Sequence, residues 1–245
     1  MTLLTAAFGL LTATTTGIPI PYSPRMDDGL AVVLLCCFFL SAYVLSRSRK
    51  FLLQLVKDFL LHRERTSIFA TSTATDMRYL LLLIVQTCVL AGVSIFNCAI
   101  EIRPELVQHV RPLALLGIYV GICLSCFVVK WLLYSFLGWI FFDGSRTSLW
   151  LESYSTLLYY LGFAFFPLVL FTVYFDLNLQ ITIAIGLIFL LFVEILIFYK
   201  WLKLFCNNLH GVLLLILYFC ALEIMPCLIL YQGVVQLNDF LIIKF

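Results

Sequence analysis

Charged side chains are scarce in this sequence, and their scarcity excludes most soluble proteins. Only 11% of the 245 residues are charged, whereas 64% are apolar and the mean hydropathy is +1.11. A soluble domain has about 25% charged residues and cannot hide this much apolar surface from water. The composition therefore predicts a protein that lies in a lipid bilayer.

Neither sign of charge dominates, and residues that bind metal ions are few. The 15 Lys and Arg residues and the 13 Asp and Glu residues leave a net charge of +2, so no nucleic-acid partner is expected. His62, His109 and His210 lie in three separate segments, which does not suit a metal ion. The nine cysteines lie almost entirely in apolar runs, where free cysteine behaves as a small hydrophobic residue. We therefore expect no metal site and no cofactor.

Common catalytic motifs are missing as well. The sequence contains no G-x-S-x-G elbow, no H-E-x-x-H pair and no G-x-x-x-x-G-K-[ST] phosphate loop. Intramembrane proteolysis and phosphoester chemistry therefore lack their usual residues. The sequence favours a protein that is not an enzyme.

Long apolar runs predict an all-α, polytopic membrane protein, because about 20 apolar residues cross the hydrocarbon core as a helix. Six transmembrane helices are predicted within residues 29–231, over 29–46, 79–100, 113–129, 154–174, 181–199 and 211–231. Residues 1–28 are expected to form an extended N-terminal segment. Residues 232–245 are expected to form a tail that is too short to cross again.

One or two further helices are expected at the cytoplasmic membrane surface. Residues 51–65 separate apolar from charged side chains at helical spacing, which is typical of a helix on anionic lipid or on the ends of the spans. Residues 131–142 remain apolar after Lys130, and a straight helix over 113–142 would be about 45 Å long. This length exceeds the bilayer core, so we favour a break near Lys130.

A stripe of small residues marks the third predicted span. Gly117, Gly121 and Ser125 recur every fourth residue and so share one helix face. Small residues allow helices in lipid to approach closely. We expect this face to pack against another helix.

The positions of the basic residues predict the orientation. Eleven of the 15 Lys and Arg residues fall in the segments 47–78, 130–153 and 200–210. Loops that are rich in Lys and Arg stay in the cytoplasm. Both termini are therefore predicted on the opposite, periplasmic side.

Two carboxyl groups, Glu194 and Glu223, lie inside predicted spans. An ionisable group at this depth is costly, and it is expected to face protein or water and to mark a functional site. Pro226 has no N–H to bond to the carbonyl of Leu222, so a kink and a polar cavity are expected beside Glu223.

Two roles for this polar site remain open. In the first, a protonated Glu223 bonds to a neighbouring helix, and Glu223→Gln leaves assembly nearly intact. In the second, Glu223 and Glu194 carry protons, and the same substitution abolishes transport. Lys130 is a candidate partner for either acid, Tyr199 is another for Glu194, and Gln86 is expected to join two helices by a hydrogen bond.

Several stretches resemble an uncharacterised integral-membrane family of Bacteroidota, a domain of unknown function. They include GIPIPYSPRMDDGLAVVLLCCF at 17–38, STATDMRYLLLL at 72–83 and LYFCALEIMPCLILY at 217–231. The last stretch places Glu223 and Pro226 as the family's C-terminal pattern has them. The resemblance covers nearly the whole chain after residue 16, and it implies an inner membrane but no catalytic residue.

A looser similarity links the chain to the Yip family of membrane proteins. It is carried by an apolar segment that leads into FFDGSRTS at 141–148, followed by a span with Pro167 at its centre. Yip proteins act as scaffolds or traffic factors. By analogy, this similarity implies a role as a scaffold or traffic factor.

These observations predict a non-enzymatic scaffold or accessory subunit of the inner membrane. Its expected partners are the lipid bilayer and either a membrane protein or a second copy of the chain. The alternative is a small proton-coupled transporter that uses Glu223 and Glu194.

Overall fold

The chain is a helical bundle with six helices that are long and apolar enough to cross a membrane. The computed structural model describes residues 22–61, 74–141, 144–175, 177–205 and 220–244, and no β-strand occurs within these ranges. The long helices are α1 (Asp28–Leu61), α2 (Ala74–Ile102), α3 (Pro112–Phe141), α4 (Gly144–Tyr174), α5 (Leu179–Phe205) and α6 (Met225–Lys244). The prediction of an all-α, multi-pass membrane protein is confirmed.

Asp27 caps the start of α1. Its Oδ1 accepts hydrogen bonds from the backbone N–H groups of Gly29, at 2.7 Å, and Leu30, at 3.3 Å. The Tyr22 hydroxyl donates to the other carboxylate oxygen, Oδ2. Burial, and then this bond to a carboxylate, raise the pKa of Tyr22. The segment before the first span is therefore tied to the helix that follows it.

Helix α1 runs beyond the predicted end of the first span. It continues through residues 51–61, although the sequence predicts a separate surface helix over 51–65. Residues 62–65 of that predicted helix lie outside the described residues. Because no Pro or Gly interrupts residues 46–61, the helix has no local reason to end at its basic cluster. A position of this segment on the membrane surface stays a prediction.

Helix α3 is continuous across Lys130, so the predicted break there is wrong. Its apolar span covers Pro112–Phe136. The prediction treated Lys130 as the charged end of the span, yet this side chain is only 11% exposed and pairs with a carboxylate inside the bundle. A charge that a partner neutralises does not have to lie at the membrane surface.

The last span lies later in the chain than predicted. A π-helical turn, Cys220–Ile224, leads directly into α6, and the apolar span covers Leu222–Ile243. The predicted boundary at residue 231 is therefore too early, and residues 232–244 are helix instead of a tail. The first part of the predicted span, residues 211–219, lies outside the described residues.

The polar residues near the end of α6 have partners elsewhere in the bundle. Asn238 Oδ1 accepts a hydrogen bond of 2.6 Å from the Tyr119 hydroxyl of α3. Asp239 forms an ion pair of 2.5 Å with Arg103, which directly follows α2. Since these groups are satisfied within the protein, they do not prevent the helix from continuing across the span.

Helix α2 packs against both α3 and α4. At Gly92 the backbones of α2 and α3 are so close that an added Cβ would lie 2.6 Å from Val120 Cγ2 and 3.0 Å from Val120 Cα. On the other contact, the nearest atom to a Cβ at Gly162 of α4 would be Thr87 Oγ1 of α2. A side chain at either glycine would therefore collide with the facing helix.

The small-residue stripe of α3 does not make the contact that was predicted for it. Gly117 and Gly121 are exposed, and a Cβ on either would meet no atom of the described chain within 4 Å. Ser125 is also exposed, and its Oγ donates to the carbonyl of Ile122 in its own helix at 2.8 Å. The close approach of α2 and α3 occurs instead at Gly92 of α2, which faces Val120, a residue of α3 outside the stripe.

Candidate functional site

Glu223 lies in the π-helical turn that precedes α6. Pro226 follows three residues later and cannot donate a hydrogen bond to the carbonyl of Leu222. The departure from regular helix that the sequence predicts beside Glu223 is therefore present, in the form of a π turn. Such turns occur frequently at functional sites. The turn holds the Glu223 side chain inside the bundle, where it is 0% exposed.

Two side chains of α3 bind the Glu223 carboxylate. The Lys130 ammonium forms an ion pair with Oε2, and the Tyr134 hydroxyl donates to Oε1. Lys130 and Tyr134 are four residues apart and thus share one face of α3. Both carboxylate oxygens are bonded, and two opposite charges are buried together.

Helices α4 and α5 each contribute a polar side chain beside this pair. Tyr154 of α4 packs on Tyr134 with ring centroids 5.2 Å apart. Glu194 of α5 is close enough to Lys130 for their charges to interact. We call these five residues the buried ionic cluster: Lys130, Tyr134, Tyr154, Glu194 and Glu223.

Apolar side chains from the same helices surround the buried ionic cluster. Leu157 of α4, Val193 and Ile197 of α5, and Leu222 are all buried in one hydrophobic group with the two tyrosines. Such surroundings strengthen the attraction between paired charges and penalise any charge that is left alone. The pairing of Lys130 with Glu223 is therefore the dominant electrostatic feature of the site.

The second carboxyl group of the cluster is incompletely bonded. Glu194 Oε2 is buried and has no hydrogen-bond partner among the described residues. The structure brings both Glu194 and Glu223 into the electrostatic range of Lys130. One lysine thus faces two acids, and it binds Glu223 directly.

Gln86 lies outside the buried ionic cluster. Its Nε2 donates a hydrogen bond of 2.6 Å to Ser41 Oγ and so joins α2 to α1. Its Oε1 is buried with no partner in the described part of the chain. Gln86 therefore links two helices by a hydrogen bond, as its position in a predicted span led us to expect.

A second polar contact between α3 and α6 fixes their relative direction. Along α3, Tyr119 comes first and Lys130 follows. Their partners come in the reverse order, because Lys130 pairs with Glu223 and Tyr119 bonds to Asn238, which is later in the chain. The two helices are therefore antiparallel and are joined at two levels. This arrangement agrees with helices that cross a membrane alternately up and down.

Sequence reasoning missed the two tyrosines of the cluster. Tyr134 could have been found from the sequence, because it lies one helical turn after Lys130 and so shares a helix face with it. The sequence gives no indication of Tyr154, since its contact with Tyr134 depends on how α4 packs against α3. Among the described residues, no three His, Cys, Asp or Glu side chains are grouped closely enough to hold a metal ion.

The fold and the cluster define a multi-pass membrane protein with six apolar helices and a buried ion pair between its third and sixth spans. Residues 30–234 match the family described as "Domain of unknown function (DUF4271)", and the chain belongs to this family. The prediction of an uncharacterised domain family is thus confirmed. No curated protein and no solved structure matches the chain.

Proposed function

We propose that the protein is a non-enzymatic scaffold or accessory subunit of the inner membrane. The enclosed Lys130–Glu223 pair carries this proposal. A proton carrier has to exchange with water, whereas Glu223 is 0% exposed and both of its oxygens are bonded. An ion pair whose acid is buried and bonded at both oxygens supports a role in holding helices in place.

The buried pair suits a scaffold because it specifies one arrangement of α3 and α6. A shift of one residue along either helix would separate the two charges in an apolar interior, and unpaired charges there are costly. Polar groups that penalise wrong arrangements are a known means of fixing helix register. A fixed bundle offers a constant outer surface to a partner protein.

The test of the scaffold proposal is the neutral double variant Lys130→Met with Glu223→Gln. Gln keeps an acceptor for Tyr134 while both charges are removed, so the folded bundle should be retained. We expect normal growth when this variant replaces the wild-type chain, and the same co-purifying proteins in mild detergent by mass spectrometry. A variant that folds but supports no growth would overturn the proposal.

Proton-coupled transport is the second candidate, and Glu194 is the observation that favours it. Its buried Oε2 lacks a partner among the described residues although Lys130 is near. An oxygen that accepts no hydrogen bond can bind a proton without breaking a contact.

Glu194→Gln separates the two candidate functions. Under the scaffold proposal we expect growth and detergent stability equal to wild type, because Gln keeps the shape of the side chain. Under transport we expect loss of proton-linked uptake in vesicles with no loss of folding, since Gln cannot release a proton. Glu101→Gln, at an exposed site at the end of α2, is the control and should behave as wild type in both assays.

We also propose that both termini lie in the periplasm. The basic residues support this orientation even with Lys130 inside the bundle, because ten of the remaining Lys and Arg residues stay on the predicted cytoplasmic side and four on the other. The polar contacts of Arg103 with Asp239 and of Tyr119 with Asn238 then lie towards the periplasm.

Cysteine labelling tests the orientation. Met26 is 74% exposed just before α1, so Met26→Cys should react with a membrane-impermeant maleimide from the periplasmic side. Ser46→Cys, exposed at the other end of the first span, should react only after the cells are lysed. A reporter fused after Phe245 should be periplasmic, and the reverse pattern at either terminus would contradict the proposed topology.

A further inference from the structure

One face of α6 carries a regular stripe of exposed residues. Its members follow one another at intervals of 4, 3, 4 and 7 residues, which is the spacing of a seam along one side of a helix. They are Met225, Ile229, Gln232, Gln236 and Ile243. Ile229 is 66% and Ile243 84% exposed, whereas Asn238 and Leu241 on the opposite face are buried. We call these five residues the α6 stripe.

Two glutamines occupy the middle of the α6 stripe, at the depth of the membrane interior. Gln232 lies between the charged levels of the bundle, about 10 Å of helix rise from Asp239 and about 14 Å from Glu223. Gln236 is one turn closer to Asp239. Within the part of the chain that the structure describes, neither amide bonds to another residue. In hydrocarbon, unbonded amides are costly, so the stripe is poorly suited to face lipid.

We propose that the α6 stripe is the interface with a second copy of this chain. Two copies that are related by a two-fold axis along the membrane normal bring each glutamine opposite its own counterpart at the same depth. An amide carries both a donor and an acceptor, so Gln232 can pair with Gln232 of a second copy. A different membrane protein could bond to these glutamines only if it had a polar group at the same depth. A second copy of this chain always has such a group, because it carries the same glutamines.

The residues around the glutamines suit close packing of two α6 helices. Gly233 is exposed, and a Cβ there would meet no atom of the described chain within 4 Å, so a second helix has room to approach. The 3-4 spacing of the stripe is typical of helices that cross at about 20°. Apolar packing through Ile229 and Ile243 adds to the amide hydrogen bonds. The dimer does not depend on the scaffold proposal, because a transporter would be paired by the same surface.

Disulfide cross-linking of the full-length chain in native membranes tests the dimer. Ile229→Cys places a thiol in the stripe beside Gln232 and leaves both glutamines intact. Leu228→Cys is the matched control, since Leu228 is 51% exposed on the flank of the same helix outside the stripe. The wild-type chain measures the background from its native cysteines. We expect a cross-linked product of twice the monomer mass for Ile229→Cys, well above the yields of the control and of the wild type.

The glutamines are tested by adding Gln232→Leu and Gln236→Leu to Ile229→Cys. We expect the dimer to weaken about tenfold, as the loss of two interhelical hydrogen bonds predicts. The thermal stability of each subunit in detergent should not change, because both side chains are exposed and neither bonds to another residue in the described part of the chain. Any of three outcomes would overturn the proposal. These are equal cross-linking at residues 228 and 229, a cross-linked product with a different protein, and a dimer that the two leucine substitutions do not weaken.

Discussion

Lys130→Met and Glu223→Gln are each expected to destabilise the folded bundle by about 3–5 kcal/mol, because each leaves one buried charge without its partner. Combined in one chain, the same two substitutions should recover most of the lost free energy of unfolding. The buried pair gains little over two neutral groups, whereas a single buried charge is costly. Unfolding of the purified protein by titration with a denaturing detergent measures all three variants.

The control for this prediction is the ion pair between Arg103 and Asp239. Its side chains are 41% and 45% exposed, so water screens the attraction. Arg103→Met should therefore change the free energy of unfolding by no more than about 1 kcal/mol. If Lys130→Met and Glu223→Gln each lower the free energy of unfolding as little as Arg103→Met does, Lys130 and Glu223 do not depend on each other as a buried pair.

The structure changes the effect that is expected of Glu223→Gln. In the first of the two roles that the sequence leaves open, Glu223 is protonated in an apolar span and Glu223→Gln is mild. The structure places Lys130 on the carboxylate, so the same substitution now removes the partner of a buried ammonium group. The outcome for Glu223→Gln thus distinguishes a neutral acid from an ion pair.

The sequence was informative where the signal is local. Apolar runs of sufficient length predict the six helices, and Pro226 predicts the distortion next to Glu223. The choice of Lys130 as a candidate partner also followed from the sequence, because a buried acid needs a bonding group and few cations lie near a span. The pairing itself depends on tertiary packing, as do the places of Tyr154 and Glu194 around it.

Helix ends and glycine contacts were harder to predict, for a shared physical reason. A charge such as Lys130, or a polar pair such as Asn238 and Asp239, marks the end of a span only when nothing inside the protein satisfies it. Likewise, a glycine in a span is equally compatible with lipid and with a neighbouring helix. Only the arrangement of the helices decides between these alternatives.

Gly92→Leu is expected to destabilise the bundle by about 3 kcal/mol, because a side chain at this position collides with α3. Its Cβ alone would lie 2.6 Å from Val120 Cγ2 and 3.0 Å from the backbone nitrogen of the same residue. The Val120 backbone cannot move aside unless the whole of α3 shifts away from α2. Such a shift also disturbs Lys130 on the same helix, so the cost is not confined to the contact.

Gly121→Leu is the matched control, since it makes the same chemical change within a span. A Cβ at Gly121 meets nothing in the described chain within 4 Å, and leucine suits both lipid and helix. We therefore expect a free energy of unfolding equal to that of the wild type or slightly higher. The opposite result would be a destabilising Gly121→Leu and a mild Gly92→Leu. In that case the small-residue stripe of α3 is the packing surface, as the sequence predicts. Measuring both variants in the same detergent titration therefore decides which face of α3 packs against α2.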